Sequence, residues 1–144
     1  MNPSFSTSHG GSCYCGIASF RFEGAPASVV NCHCGQCRRL SGSVFTTWAS
    51  VKRPLFELSG HDELARVIVT ANVTRHFCKR CGSHVFTEDE RSPGIVGIPT
   101  GAIDDGESMV PSADYFVDHK AGWLTLEKTT HRFGGETGVE PNPA

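Results

Sequence analysis

The chain has 144 residues, with 13 Lys and Arg against 15 Asp and Glu, and a formal net charge of −2 at neutral pH. This length predicts one domain with a modest hydrophobic core, and the acidic balance argues against a general nucleic-acid-binding surface. No apolar run approaches the ~20 residues of a membrane-spanning helix, and the first ten residues contain neither the basic nor the apolar part of a secretion signal. We therefore expect a cytoplasmic protein that does not bind membranes and whose thiols stay reduced.

Short β-type segments, broken by Gly, Pro, Asn or Asp, follow one another along most of the chain and predict a mainly β fold. The predicted strands are residues 17–23, 29–32, 44–51, 55–58, 65–69, 74–77, 84–87, 95–99 and 115–117. One short helix is predicted over 36–40 and ends at Ser41-Gly42, because glycine tolerates the left-handed conformation after a helix. Residues 1–10 and 134–144 are predicted to be flexible tails around a domain of residues 11–133.

The seven cysteines lie in three clusters of two, three and two residues. They are Cys13 and Cys15; Cys32, Cys34 and Cys37; and Cys78 and Cys81. Thiolates so close in sequence can converge on one metal ion, whereas neighbouring cysteines rarely bridge each other without strain. The odd total would also leave one thiol without a disulfide partner. The clusters therefore favour zinc over disulfides.

The two cysteine pairs have different local settings. Cys78 and Cys81 lie in a four-residue turn between two β-type stretches, and Gly82 follows where a positive φ is often needed. Backbone amides in such a turn can donate hydrogen bonds to the metal-bound sulfurs. Cys13 and Cys15 open the first predicted strand, and alternate residues of an extended segment share a face. This pair can therefore complete a second half of a zinc site.

The count of seven suggests how the ligands divide. A closed structural zinc site has four protein ligands, whereas a reactive site has three and one open position. As a hypothesis, the two pairs form a closed site and the triplet an open one, although spacing alone does not fix which clusters combine. A distant thiol, His33 or His84 could instead complete the triplet, and for each histidine an ordinary polar role is the commoner alternative.

Three motifs contain all seven cysteines. They are Gly11-Ser-Cys13-Tyr-Cys15-Gly16, Cys32-His-Cys34-Gly-Gln-Cys37-Arg-Arg-Leu-Ser-Gly-Ser43 and Phe77-Cys78-Lys-Arg-Cys81-Gly-Ser83. With further matches between residues 45 and 123, they resemble the glutathione-dependent formaldehyde-activating enzyme family, also called the centromere protein V/GFA domain, over about residues 11–133. The resemblance implies an Mss4-like fold of coiled antiparallel β-sheets with zinc-ribbon-like knuckles.

The resemblance also implies two zinc ions and a reaction. A structural zinc would be held by Cys13, Cys15, Cys78 and Cys81. A second zinc, more weakly held, exchangeable and close to the chemistry, would be held by Cys32, Cys34 and Cys37. The implied enzyme is a carbon–sulfur lyase that joins or cleaves a small thiol such as glutathione and a small aldehyde such as formaldehyde. An open zinc–thiolate site suits this reaction because zinc lowers the pKa of a bound thiol.

The residues that follow the triplet are candidate substrate contacts. Arg38 and Arg39 could pair with the carboxylates of a glutathione-like ligand, and a solvated helix face explains them equally well. Ser41 and Ser43 could donate hydrogen bonds to a carbonyl oxygen, although turn formation alone also explains them.

A zinc-stabilised binding module for a protein partner, without catalysis, is the alternative function, since fold does not fix function. The complete triplet favours the enzyme, because a scaffold needs only the four-sulfur site. Exposed strand edges leave a homodimer open. We expect Phe45, Trp48 and Trp123 in the core, because a small β domain needs large apolar anchors.

Overall fold

A computed structural model of the protein describes residues 7–142. The strands are β1 Ser8–Ser12, β2 Ser19–Glu23, β3 Ser28–Cys32, β4 Thr46–Lys52, β5 Phe56–Ser59, β6 Leu64–Ile68, β7 Val73–Cys78, β8 His84–Asp89, β9 Ile95–Pro99, β10 Ala113–Tyr115, β11 His131–Gly134 and β12 Glu140–Pro141. The α-helix is α1, Gly35–Ser41, and short 3₁₀ turns lie at Arg53–Leu55, His61–Glu63, Thr100–Ala102, Gly106–Ser108 and Val117–His119. The mainly β prediction is confirmed.

The chain forms two compact units, and the first contains the described residues up to Ala27 together with Ala49–Met109. In this unit β1, β2 and β5 form an antiparallel sheet, and β6 to β9 pair antiparallel in chain order. Its core is a cluster of buried apolar side chains: Cys13, Ala18, Phe20, Phe22, Ala49, Val51, Leu64, Cys78, Val85, Phe86, Val96, Ile98 and Ile103. One cysteine of each pair therefore packs in this core.

The second unit contains Ser28–Trp48 and the described residues from Val110 onward, so that β4 runs from the second unit into the first. Strand β10 pairs in parallel with both β3 and β11, and β11 pairs antiparallel with β12. The buried residues of this unit are mostly small or polar: Val30, Cys32, His33, Cys37, Thr46, Ala113, Asp114 and Thr130. The second unit therefore has fewer large apolar side chains in its interior than the first.

Most predicted strands lie within two residues of an observed one, and residues 95–99 match β9 at both ends. The last predicted strand, 115–117, is displaced, since β10 covers Ala113–Tyr115 instead. Phe116 follows β10 with a φ of 57°, a left-handed conformation that ends a strand. Residues 117–119 then form a 3₁₀ turn.

Strands β1, β11 and β12 were not predicted. Strand β1 begins at Ser8, and β12 lies at Glu140–Pro141, so both include residues of the predicted tails. The flexibility of those tails stays a prediction, and its outermost parts, residues 1–6 and 143–144, lie outside the described residues. Within residues 7–142, no helix has the length and apolar character needed to cross a membrane.

Candidate metal centres

The first candidate centre lies in the first unit, where four sulfurs converge within 4.8 Å of one another. They belong to Cys13, Cys15, Cys78 and Cys81, here called the four-cysteine cluster. The Cys15 sulfur lies 3.6 Å from that of Cys13 and 3.8 Å from that of Cys78. A tetrahedral zinc with sulfurs at about 2.3 Å separates them by about 3.8 Å, so this donor set fits zinc.

The turn between β7 and β8 builds one half of this cluster. Cys78 ends β7, and the backbone amides of Arg80 and Cys81 each lie 3.4 Å from its sulfur as donors. Gly82 has a φ of 81° and donates its amide to the Cys78 carbonyl at 2.9 Å. The predicted turn, with amide donors to sulfur and a left-handed glycine, is therefore present in the structure, and its binding of zinc stays a prediction.

The other half of the cluster differs from the prediction. Cys13 and Cys15 lie in the turn between β1 and β2 and not in an extended segment. The turn is closed by the Gly16 amide, which donates to the Cys13 carbonyl at 3.1 Å with a φ of 80° at Gly16. The Ala18 amide lies 3.5 Å from the Cys13 sulfur. Both halves of the cluster are thus turns in which amides face a sulfur.

Ser83, the last residue of the third cysteine motif, links the two halves, a role that its place in the motif did not indicate. Its hydroxyl accepts a hydrogen bond from the Tyr14 amide at 2.8 Å and lies 3.1 Å from the Cys81 sulfur. This hydrogen bond from Ser83, with backbone donors, lowers the pKa of the Cys81 thiol to about 5. Because metal binds the thiolate form, the setting of Cys81 favours a ligand over a neutral thiol.

The second candidate centre lies in the second unit, where the sulfurs of Cys32, Cys34 and Cys37 also lie within 4.8 Å of one another. We call this group the three-cysteine cluster. Cys32 ends β3, Cys34 is the N-cap of α1 and Cys37 is buried in α1. The Cys37 amide lies 3.3 Å from the Cys34 sulfur as a donor. Hydrogen bonds from Cys32 and Cys37 hold the pKa of Cys34 far below its usual range, which favours its thiolate.

A buried hydrogen-bonded pair, His33 and Asp114, lies next to the three-cysteine cluster, because His33 is between Cys32 and Cys34 in the chain. His33 Nε2 is 2.7 Å from Asp114 Oδ1, and both residues are 1% exposed. The His33 amide also donates to the Tyr115 carbonyl at 3.0 Å. The imidazole of His33 thus faces Asp114, and His33 belongs to neither cysteine cluster. His84 is likewise outside both, with its Nε2 at 2.7 Å from the Thr87 hydroxyl.

Asp114 contacts residues on both sides of Cys32. Besides His33, its Oδ1 accepts a hydrogen bond from Asn31 Nδ2 at 3.1 Å. The side-chain oxygen Oδ1 of Asn31 in turn accepts a hydrogen bond from the Thr47 hydroxyl at 2.7 Å. This network fixes the backbone that carries the first thiol of the cluster. Asp114 lies 81 residues from His33 in the chain, so no local pattern could associate the two.

The predicted substrate contacts lie at the end of α1. Arg38, Arg39, Ser41 and Ser43 are exposed there. The Ser41 hydroxyl lies 3.5 Å from the Arg38 carbonyl and accepts from the Ser43 amide at 3.1 Å, so these groups stabilise the helix end. Gly42 has the expected left-handed conformation, with a φ of 75°. A role of the four residues in substrate binding stays a prediction.

A small cavity of about 170 Å³ adjoins the buried pair of His33 and Asp114. Its wall includes Asn31, His33, Phe45, Asp114 and residues 124–127. Since His33 lies between Cys32 and Cys34 in sequence, the cavity is close to the backbone of the three-cysteine cluster. A small molecule bound there would be next to the segment that carries the thiols.

The chain is similar to known proteins in sequence and in fold. The family model described as glutathione-dependent formaldehyde-activating enzyme matches residues 8–119. A relative from Halomonas elongata, named after this enzyme, is 26% identical over 125 residues, covering 81% of this chain and 80% of that protein. A Penicillium rubens relative with the same name is 30% identical over 103 residues, which cover 68% of this chain and 54% of that protein. A Podospora anserina relative of that name is 27% identical over 103 residues, which cover 68% of this chain and 48% of that protein. The chain thus spans about half the length of the two fungal relatives.

A similar fold occurs in the crystal structure of a Rhodobacter sphaeroides protein. The TM-score is 0.57 at 20% sequence identity, with 66% of this chain and 87% of that chain covered. At this identity the likeness concerns the fold alone. The family match includes all seven cysteines and most of the chain, and this chain therefore belongs to the glutathione-dependent formaldehyde-activating enzyme family.

Proposed function

We propose that this protein is a zinc-dependent enzyme of the carbon–sulfur lyase type. It joins or cleaves a thiol such as glutathione and a small aldehyde such as formaldehyde at the three-cysteine cluster. The observation that carries this proposal is the number of converging ligands. Cys32, Cys34 and Cys37 supply three thiols, and among residues 7–142 no other Cys, His, Asp or Glu joins their group. A closed zinc site has four ligands, so three leave room for a substrate.

The donor set supports zinc at both clusters, because soft thiolates favour zinc over magnesium or calcium. In this proposal the four-cysteine cluster holds a structural ion, and the three-cysteine cluster a second, exchangeable one. A zinc ion with three thiolates offers one open position and lowers the pKa of a thiol bound there. The amides around Cys78 and Cys34 orient the sulfurs, and Asp114 with His33 fixes the backbone at Cys32.

The proposed reaction needs no further reactant. The thiol sulfur forms a bond to the carbonyl carbon, the π electron pair moves to the oxygen, and the thiol proton ends on that oxygen. The product is a hemithioacetal, and the reverse reaction returns the thiol and the aldehyde. The cavity beside His33, at about 170 Å³, is smaller than the ~300–1,000 Å³ typical of drug-sized ligands. This size favours a small aldehyde.

Exchange spectroscopy with ¹³C-labelled formaldehyde and glutathione tests the proposal. We expect the zinc-loaded protein to accelerate exchange between free formaldehyde and its glutathione adduct beyond the uncatalysed rate, and Cys34→Ser to abolish the acceleration. Arg91→Gln, at an exposed residue paired with Asp89, is the matched control and should retain the activity. A folded, zinc-loaded protein that neither binds thiols nor accelerates the exchange would contradict the proposal and favour the binding module.

A further inference from the structure

The fold does not hold the four thiols of the four-cysteine cluster equally. Cys13 and Cys78 are 1% and 2% exposed and pack in the hydrophobic core, so neighbouring side chains restrict the direction of their sulfurs. Cys15 is exposed and Cys81 is half-buried, so packing restricts these two outer sulfurs less. Their orientation therefore depends more on hydrogen bonds.

The side chain of Ser83 contacts both turns that build this cluster. Its hydroxyl oxygen accepts a hydrogen bond from the Tyr14 amide at 2.8 Å and lies 3.1 Å from the Cys81 sulfur. Tyr14 lies between Cys13 and Cys15 in the chain. One hydroxyl group thus joins an outer thiol to the opposite turn, although Tyr14 and Ser83 are 69 residues apart.

The direction of these two hydrogen bonds follows from the chemistry of the groups. A backbone amide can only donate, so the bond from Tyr14 uses a lone pair of the hydroxyl oxygen and leaves the hydroxyl proton free. Among residues 7–142, the Cys81 sulfur is the one acceptor within hydrogen-bond distance of this hydroxyl. Ser83 therefore donates its proton to Cys81. Such a bond is strongest when the sulfur is a thiolate, which is the form that binds metal.

The backbone of Ser83 has a separate part in the turn between β7 and β8. Its carbonyl accepts a hydrogen bond from the Cys78 amide at 2.8 Å, and this bond does not depend on the side chain. Gly82, with its left-handed conformation, sets the path of the turn just before Ser83. Removal of the hydroxyl alone should therefore leave the turn folded, so that the role of the side chain can be measured.

We infer that Ser83 is a positioning residue for the metal of the four-cysteine cluster, because its hydroxyl keeps the Cys81 thiolate in place beside the opposite turn. The inference rests on the structural ion of the proposed function and adds the group that restrains an outer ligand. Groups that orient ligands typically change metal affinity by about 10–100-fold. Loss of the hydroxyl is therefore expected to weaken metal binding at this cluster about tenfold.

Hydrogen exchange in the zinc-loaded wild type tests the contact between the two turns without any variant. We expect the Tyr14 amide to exchange about tenfold or more slower than an unprotected peptide amide, because it donates to Ser83. The side chain of Tyr14 is 93% exposed, so burial of the residue does not account for such protection. An unprotected Tyr14 amide would overturn the inference, since the hydroxyl would then not join the two turns.

The contact with sulfur is tested by ¹¹³Cd NMR of the cadmium-loaded full chain, because each centre gives its own resonance and the shift depends on the sulfur ligands. We expect Ser83→Ala to move the resonance of the four-cysteine cluster, to leave that of the three-cysteine cluster in place, and to weaken metal binding at the former in chelator competition. Ser83→Thr keeps the hydroxyl and should restore the wild-type values. Ser12→Ala is the matched control, since the Ser12 hydroxyl donates to the Cys13 carbonyl at 2.9 Å and contacts no sulfur among residues 7–142.

Several results would overturn the inference. Weaker metal binding by Ser83→Ala with an unmoved resonance would assign the hydroxyl to the fold, as would movement of both resonances or a failure of both Ser83 variants to fold. Unchanged affinity in Ser83→Ala, or a Ser83→Thr protein that binds metal as weakly as Ser83→Ala, would show that the hydroxyl does not position the ligand. A wild type that binds no metal at the four-cysteine cluster contradicts both proposals. A metal-loaded wild type in which Ser83 acts as expected, but which does not accelerate the formaldehyde exchange, contradicts only the proposed function.

Discussion

The two cysteine clusters differ in what lies behind them. In the first unit Cys13 and Cys78 pack within an aromatic and aliphatic core, and the other two thiols of the cluster are more exposed. In the second unit Cys32 is backed by the polar network of Asp114 and His33. One cluster is therefore part of a hydrophobic core, whereas the other is flanked by hydrogen-bonded side chains of the residues on either side of Cys32.

This difference indicates separate roles. Four sulfurs complete a zinc site, so a metal there can cross-link two turns far apart in sequence and contribute its binding free energy to folding. Three sulfurs on one strand end and one short helix cross-link little, because they span only residues 32–37. The first cluster is then expected to control stability and the second to control reactivity.

Removal of a ligand from the four-cysteine cluster should have the largest effect. We expect Cys78→Ser to unfold or aggregate the protein, because structural zinc contributes about 10–16 kcal/mol in small domains, comparable to or above the ~5–15 kcal/mol of total stability. Circular dichroism and metal analysis of the purified variant measure the effect. A Cys78→Ser protein that stays folded at 25 °C would show that the four-cysteine cluster does not control stability.

Removal of a ligand from the three-cysteine cluster should abolish the activity, while the protein stays folded. The wild-type protein should contain up to about two zinc ions per chain, and Cys34→Ser about one, since the four-cysteine cluster is intact in this variant. Metal analysis, thermal unfolding and the formaldehyde exchange assay together measure this. If Cys34→Ser unfolds as completely as Cys78→Ser, the proposed division of roles is wrong.

Local chemistry was enough to predict the parts of both clusters that are close in sequence. The positive φ values of Gly42 and Gly82 and the approximate bounds of α1 followed from short motifs. Strand β1 could not be predicted, since its sequence Ser-His-Gly-Gly-Ser has no apolar alternation. Gly11, one of its two glycines, is explained only by the fold: a Cβ there would overlap the Phe20 ring and the Ala102 carbonyl oxygen.

Long-range contacts were the part that the sequence did not reveal. Asp114 reaches His33 because β10 pairs with β3, and a parallel pair of such short strands has no sequence signature. Trp123, expected in the core, is 74% exposed, since size alone does not determine whether a side chain finds a buried partner.

The pH dependence of stability distinguishes the protonation of a buried histidine in the first unit from the loss of metal. Burial, with the nearby charge of Arg75, lowers the pKa of His84 to about 4. The unfolded chain binds this proton near pH 6.5 but the folded chain only near pH 4, so the free energy of unfolding falls as pH decreases between these values. This protonation lowers the free energy of unfolding by up to about 3 kcal/mol.

Denaturant unfolding of zinc-loaded wild type and His84→Gln between pH 7 and 4.5 measures this contribution. We expect the wild type to lose more stability than the variant over that range, whereas His61→Gln, at an exposed histidine of the same unit, should follow the wild type. Equal losses in wild type and His84→Gln would assign the acid sensitivity to other groups, namely the thiolates or His76, whose pKa burial also lowers.

The smallest of these effects tests the polar support of the three-cysteine cluster. Asp114→Asn keeps the shape of the side chain but removes the charge that faces His33. Because groups that orient ligands typically alter metal affinity by about 10–100-fold, we expect the second metal to bind about tenfold more weakly, with the four-cysteine cluster unaffected. Chelator competition measures both affinities, and the absorption of a cobalt-substituted protein reports the coordination geometry.

Glu136→Gln, at an exposed carboxylate of the same unit, is the control. A variant that melts earlier but binds the second metal with unchanged affinity would show that Asp114 supports only the fold. Equal weakening at both clusters would show that the two centres are not independent.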